Sequence, residues 1–381
     1  MSRSADDLWG LLEESLRMPY GAARTAATEQ VIRHADASGD RSLAFAARMH
    51  GTNAYIYGGE PARSFVTFSW CLSEFDREPA PYHAGWQHHL LWHFKQMVSA
   101  LTKFPEVPLA RTYAVLDDME RRYREGGHSM QAVLKYRYVV ARHIGDRAET
   151  DRLYELWNTV PRDDLSDCSG CDPSDQVEYL AERHRDDEAI ALAEPVLAGR
   201  LTCTEQPQTM LRSLMVPYLR AGRLDEAADA HRRSYRIQRS RLADLWEVGL
   251  HVEFCARTGN EHRGLEILRR HVDWLDRAPS PAAGMHFAAA GALLLRRLTE
   301  LGHGAATVRR KDRGEVPLAA LGDELAAYAT DLSRRFDARN GTSAVGAEIA
   351  GIIAAQPYDV VLPLSPTART AVAPAAPRPE P

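Results

Sequence analysis

The chain has 381 residues, of which 45 % are hydrophobic and 26 % charged, and its formal net charge is −5. That balance is ordinary for a globular protein with room for two or three domains. It also excludes the global basic field that gathers nucleic acid or acidic membrane. The 5 cysteines, an odd number over so long a chain, do not form a secreted disulfide framework.

At the N-terminus, MSRSADDLWGLLEESL is acidic and amphipathic and lacks the basic and apolar regions of a signal peptide. The longest apolar run, MHFAAAGALLL from Met285 to Leu295, falls short of the roughly 20 residues that span a bilayer. A cytoplasmic protein without membrane contact is expected. Lys95, Lys103, Lys135 and Lys311 are the only lysines, so the positive charge is carried by arginine, a skew that points to a GC-rich bacterial genome.

Strand signals are sparse, and helical periodicity recurs in segments of roughly 12 to 20 residues broken by Gly, Pro or Asp. Amphipathic helices over Ser4 to Ser38 suit an N-terminal cap. AYIYGGEPARSFVTF then places Gly59 at a turn and the small Ser64 five residues later. Between Pro81 and Gly127 a second pair of long helices has no turn glycine. VVARHIGDRAETDRLY repeats the first pattern with Gly145 and Thr150, YLAERHRDDEAIALA with His184 and Ala189, YLRAGRLDEAADAHRRSYR with Gly222 and Ala227, and FCARTGNEHRGLEIL with Gly259 and Gly264. The turns at 145, 184, 222 and 259 are 39, 38 and 37 residues apart. After Gly304 the pattern changes. VRRKDRGEVP reads as a charged linker, followed by amphipathic helices near 318–339 and 343–355, and LSPTARTAVAPAAPRPEP has too few large apolar residues to fold.

A turn residue with a small residue five positions on, at intervals slightly longer than the usual ~34, resembles the tetratricopeptide repeat. The copy at Gly222 carries the resemblance best; the others are degenerate, and the family's closing proline is mostly missing. The resemblance implies an all-α solenoid of roughly six to eight helix-turn-helix hairpins, each burying its apolar face on a neighbour. The expected organisation is capping helices over 1–39, the repeat array over 40–305, a helical cap over 306–356 and a disordered tail over 357–381.

In such an array the first helix of each pair lines a concave face. On that register the face holds Lys135 and Arg142, then Arg212 and Arg220, then Trp246 and Arg257. Asn53 falls where family members that clamp a peptide carboxylate place asparagine. An arginine-rich groove implies a non-catalytic scaffold for a protein or peptide, its ligand an acidic segment or a C-terminal carboxylate, with self-association a further use. An equally good reading of these cations is a solvated basic face.

The stretch DCSGCDP, Asp167 to Pro173, admits three readings. It is a capped turn with incidental thiols, half of a structural zinc site, or a redox pair. Cys168, Cys171 and Cys203 enter and leave one hairpin on the same edge, and His128 lies on that edge one hairpin earlier, so these four form the zinc candidate. No sheet is expected, which argues against a thioredoxin-type pair. No cofactor beyond that zinc is expected.

HAGWQHHLLWHF sets His89 and His93 four residues apart, a metalloprotease spacing, but the glutamate of HExxH is absent. Packed core is the simpler account of this stretch. A metal-dependent enzyme centred on His83–His93, or a peptide-sensing regulator, is the rival function. No phosphate-binding glycine loop and no nucleophile elbow occurs.

Overall fold

The computed structural model describes residues 5–77, 80–201, 203–360 and 362–364. The described chain is all-α apart from one β-hairpin. Helices pair in chain order: α1 (Ala5–Arg17) with α2 (Ala22–Ser38), α3 (Arg41–Gly58) with α4 (Pro61–Arg77), α5 (Gln87–Leu101) with α6 (Leu109–Glu125), and α7 (Gln131–Ile144) with α8 (Arg147–Thr159). They continue as α9 (Cys171–Glu182) with α10 (Asp186–Leu197), α11 (Gln208–Arg220) with α12 (Leu224–Gln238), and α13 (Leu245–Arg257) with α14 (Glu261–His271). The last pair is α15 (Pro281–Glu300) with α16 (Leu318–Asn340), followed by α17 (Ala344–Ala354). No described helix is long and apolar enough to cross a membrane.

The turn positions read from the sequence share one backbone device. Gly59, Gly145, Gly222 and Gly259 have φ of 86°, 79°, 73° and 72°, and His184 adopts the same left-handed conformation at 57°. That conformation lets the next N–H reach back to the carbonyl five residues earlier. Arg223 N–H donates to Tyr218 O at 2.8 Å, Asp146 to Ala141 O at 3.0 Å, Arg185 to Leu180 O at 2.9 Å, and Asn260 to Cys255 O at 2.9 Å. The carbonyl of the same residue then accepts the first bond of the second helix, as in Ala227 N–H to Arg223 O at 3.0 Å. One residue thus closes the first helix and opens the second.

Five residues past each turn the paired helices approach closely. Ser64, Ala189 and Ala227 are 0 % exposed and Thr150 5 %. At Gly264 a Cβ would come within 2.8 Å of Leu294 Cδ1, so the site tolerates no side chain without repacking. His251 and Cys255, on the buried face of α13, are likewise fully enclosed. Leu8, Leu12, Val31 and Ala35 fasten α1 and α2 to Leu43 and Ala47 of α3.

Two features of the C-terminal part differ from expectation. The charged segment after Gly304 is an antiparallel hairpin, β1 (Thr307–Arg310) and β2 (Gly314–Pro317), with Val308 opposite Val316. Val308 is fully buried, and Arg310 is anchored by Asp273 at 2.7 Å, which fixes a segment whose charge had marked it as a linker. The packed chain also extends past 356. Leu362 is 1 % exposed and Leu364 9 %, so the chain is still packed where a tail over 357–381 was expected to have begun; residues 365–381 lie outside the described residues.

Hairpins also meet at a distance along the chain. Gly59, at the α3–α4 turn, lies against Leu242 and Ala243 at the entry to α13. Ala282 N–H at the start of α15 donates to Lys103 O in the α5–α6 turn at 3.2 Å, and Arg339 of α16 donates to Phe104 O at 3.1 Å. Gly145, at the α7–α8 turn, faces Ala344 at the start of α17. Two of these turns therefore touch the hairpin five places further on, and the third touches the helix that follows the last pair.

Ala227→Leu should lower stability by about 1–3 kcal/mol in chemical denaturation, because overpacking a close helix contact forces neighbours off their rotamers. Gly222→Ala, with nothing within 4 Å of its added Cβ, should cost only the left-handed strain, about 1 kcal/mol.

Candidate functional site

None of the charges of the expected groove residues is left free. Arg142 on α7 donates to Glu182 of α9 at 3.0 Å and to Glu178 at 3.4 Å. Arg212 on α11 reaches the same Glu178 from the other side. Arg220 donates to Asp186 at 2.8 Å and to Ala181 O at 2.7 Å. Arg257 pairs with Glu253 at 3.1 Å. Asn53 accepts from Gln96 Nε2 at 3.0 Å, and Trp246 stacks on His286 with ring centroids 3.6 Å apart. These arginines have their countercharge built into the fold.

That countercharge is a stripe on α9. Asp172, Asp175, Glu178 and Glu182 follow helical spacing and meet the basic faces of α7 and α11. Burial alone would push the Glu178 carboxyl up, but Arg212 and Arg142 outweigh it and hold it near about 2. Asp175 is pushed up, mainly by desolvation, although 37 % of its side chain is reached by water. The sequence reading counted cations and left out this stripe, which the 3- and 4-residue spacing of acids after Pro173 signals.

Lys135 is the exception among the groove candidates, because it is buried. Only 2 % of it is exposed, and its ammonium meets Asp167 at 2.5 Å, Asp172 at 2.9 Å and Asp175 at 2.5 Å. Desolvation opposes its charge, but Asp167 and Asp175 more than compensate and raise its pKa well above the usual lysine value. Lys135 is thus a structural cation and takes no part in an open binding face. Beside it, Lys95 is 1 % exposed and donates to Leu165 O at 2.8 Å, Ser166 O at 3.1 Å and Asp167 at 3.2 Å. Here burial prevails over the neighbouring carboxylate, and the pKa falls to about 8.

These two lysines fix the loop that carries the cysteines. Asp167 and Asp172 flank Cys168 and Cys171 in sequence, and both bind Lys135. The thiols between them face Cys203 in the loop before α11. Cys171 Sγ and Cys203 Sγ are 3.4 Å apart, and the three sulfurs lie within 4.8 Å of one another, all partly buried. Cys171 N–H donates to Cys168 Sγ at 3.2 Å. Gly170 has an ordinary φ of −92°, so no left-handed turn is needed; it lies instead against the second loop, where a Cβ would be 3.1 Å from Gln206 Cγ. Gln206 in turn donates to Ser174 at 2.7 Å and holds the two loops together.

His128 does not join the thiols. Its ring lies 3.8 Å from Asp163 and groups with Asp163 and Asp164, one loop away. Around His83–His93 the described residues bring no three ligating side chains within 4.8 Å. His83 accepts from Ala80 N–H at 3.2 Å and packs on Phe45, while His93 is 2 % exposed and burial drives its pKa down to about 3. His83 and His93 are thus packed in the core, whereas His88 and His89 are exposed. No protein-family model matches the chain, and no curated protein matches it in sequence.

Lys135→Met should destabilise the protein by about 3–5 kcal/mol in denaturant titrations, since it strands buried carboxylates without a cation. A second outcome concerns Asp244, pushed up to about 8 by desolvation and then by Glu247. A carboxyl raised on folding contributes its stability at low pH and loses it as pH climbs through that value. Asp244→Asn should therefore gain in melting temperature relative to the parent as pH rises from about 4 to about 8.

Proposed function

We propose that this chain is a non-catalytic scaffold that holds an extended protein or peptide segment against the inner helices, as the resemblance to tetratricopeptide arrays implies. The observation that supports it is the way the array treats its own C-terminal residues. Tyr358 N–H donates to Arg257 O at 2.8 Å and Leu362 N–H to Thr258 O at 3.2 Å, while Asn260 Nδ2 donates to Leu362 O at 2.7 Å. The Arg257 guanidinium lies 4.1 Å from the centre of the Tyr358 ring, and its Nε donates to Gln356 O at 3.3 Å. Main-chain bonds on an extended segment, with one aromatic side chain held under an arginine, are the chemistry of a peptide site.

The ligand that fits this reading is an extended segment with an aromatic residue. The paired state of Arg142, Arg212 and Arg220 favours it over a segment recognised by acidic charge alone. The five unpaired thiols suit a reducing cytoplasmic setting.

A chain ending at Ala355 should bind a labelled QPYDVVLPL peptide. The full-length chain should bind it at least about tenfold more weakly, because its tethered copy competes at high effective concentration. Arg257→Ala in the short chain should abolish binding. A folded short chain that ignores the peptide would refute the reading.

A further inference from the structure

Cys168, Cys171 and Cys203 come from two loops separated by a whole helical hairpin, yet their sulfurs converge within 4.8 Å. Convergence is imposed from outside the triad. Lys135 binds Asp167 and Asp172 on either side of the first two cysteines, and the Gln206–Ser174 bond ties the third cysteine's loop to α9. The loops would close this way with any small residues at 168, 171 and 203, so packing does not account for three thiols there.

We infer that Cys168, Cys171 and Cys203 bind one zinc ion as thiolates, with solvent or an incoming donor in the fourth position. This inference is independent of the peptide-binding reading. Tetrahedral zinc with Zn–S bonds of about 2.3 Å needs sulfurs just under about 4 Å apart, a span this triad brackets. A backbone N–H already points at one sulfur, from Cys171 to Cys168 at 3.2 Å, and Cys171 stands at the N-terminus of α9, both of which favour the thiolate form. Charge selects the metal. Three thiols release three protons on binding. A zinc ion then leaves a net charge of −1 at a partly buried site, whereas a cuprous ion leaves −2, which costs more to enclose. The partial exposure of all three cysteines leaves the fourth position open to solvent. His128 is held by Asp163 and Asp164 and does not fill it.

Full-length protein purified with a thiol reductant should carry about one zinc per chain by elemental analysis. Cys203→Ser should lower that content at least tenfold, while Cys71→Ala, in the core away from the triad, should keep it. Should a variant fail to fold, the wild-type chain decides alone. After chelation it should take up one cobalt(II) ion, read by sulfur-to-cobalt charge-transfer absorption and tetrahedral d–d bands, and lose both on adding zinc. Metal-free reduced protein with no cobalt charge-transfer band would overturn the inference. One copper per chain, or a Cys171–Cys203 disulfide in metal-free protein, would overturn it as well.

Discussion

A single buried ammonium organises the centre of this molecule. Lys135 is almost wholly enclosed and bound by Asp167, Asp172 and Asp175. A charge taken so far from water is tolerated only if it is paired and its hydrogen-bond capacity is used, and three carboxylates do both. Each partner belongs to the segment that enters α9, so the same contacts that neutralise Lys135 fix the path of that segment. Lys95 adds a second clamp through Asp167 and two carbonyls. The position of α9, the aim of its acidic stripe and the placement of Cys168 and Cys171 all follow from these two lysines.

The stripe also occupies the arginines expected to line a groove. Because Glu178 and Glu182 already meet Arg142 and Arg212, an anionic ligand there would have to displace an existing carboxylate partner. On the proposed peptide-binding reading, shape and backbone bonding are left as the means of selection. The contacts to Tyr358 and Leu362 are of that kind.

The repeat register was legible in the sequence because its demands are local. A residue that closes one helix in the left-handed conformation is nearly always glycine, and the close approach five residues later admits only small side chains. Gly222 with Ala227 states both rules, and His184 shows that the register survives a non-glycine turn. The convergence of the three cysteines was legible for a related reason, since loops on one edge of a hairpin array are neighbours. Partners across helices were not legible. Nothing local tells Lys135 from Arg142, yet one is buried and the other is bathed in water, because only the first lies over the α9 entry loop. His128 had the correct edge and the wrong neighbour, held by Asp163 from its own side. The β-hairpin after Gly304 was hidden because its apolar signal is one cross-strand pair, Val308 with Val316.

The contacts between distant hairpins change what kind of mechanical object this is. An open stack of repeats behaves like a spring, which stretches, twists and frays from its ends because each unit holds only its neighbours. Here the turn at Gly59 presses on the entry to α13, the turn near Lys103 on α15 and α16, and the turn at Gly145 on α17. Strain applied to one of these hairpins is therefore shared with a partner far along the chain as well as with its neighbours, so the braced part of the described fold should yield as one block.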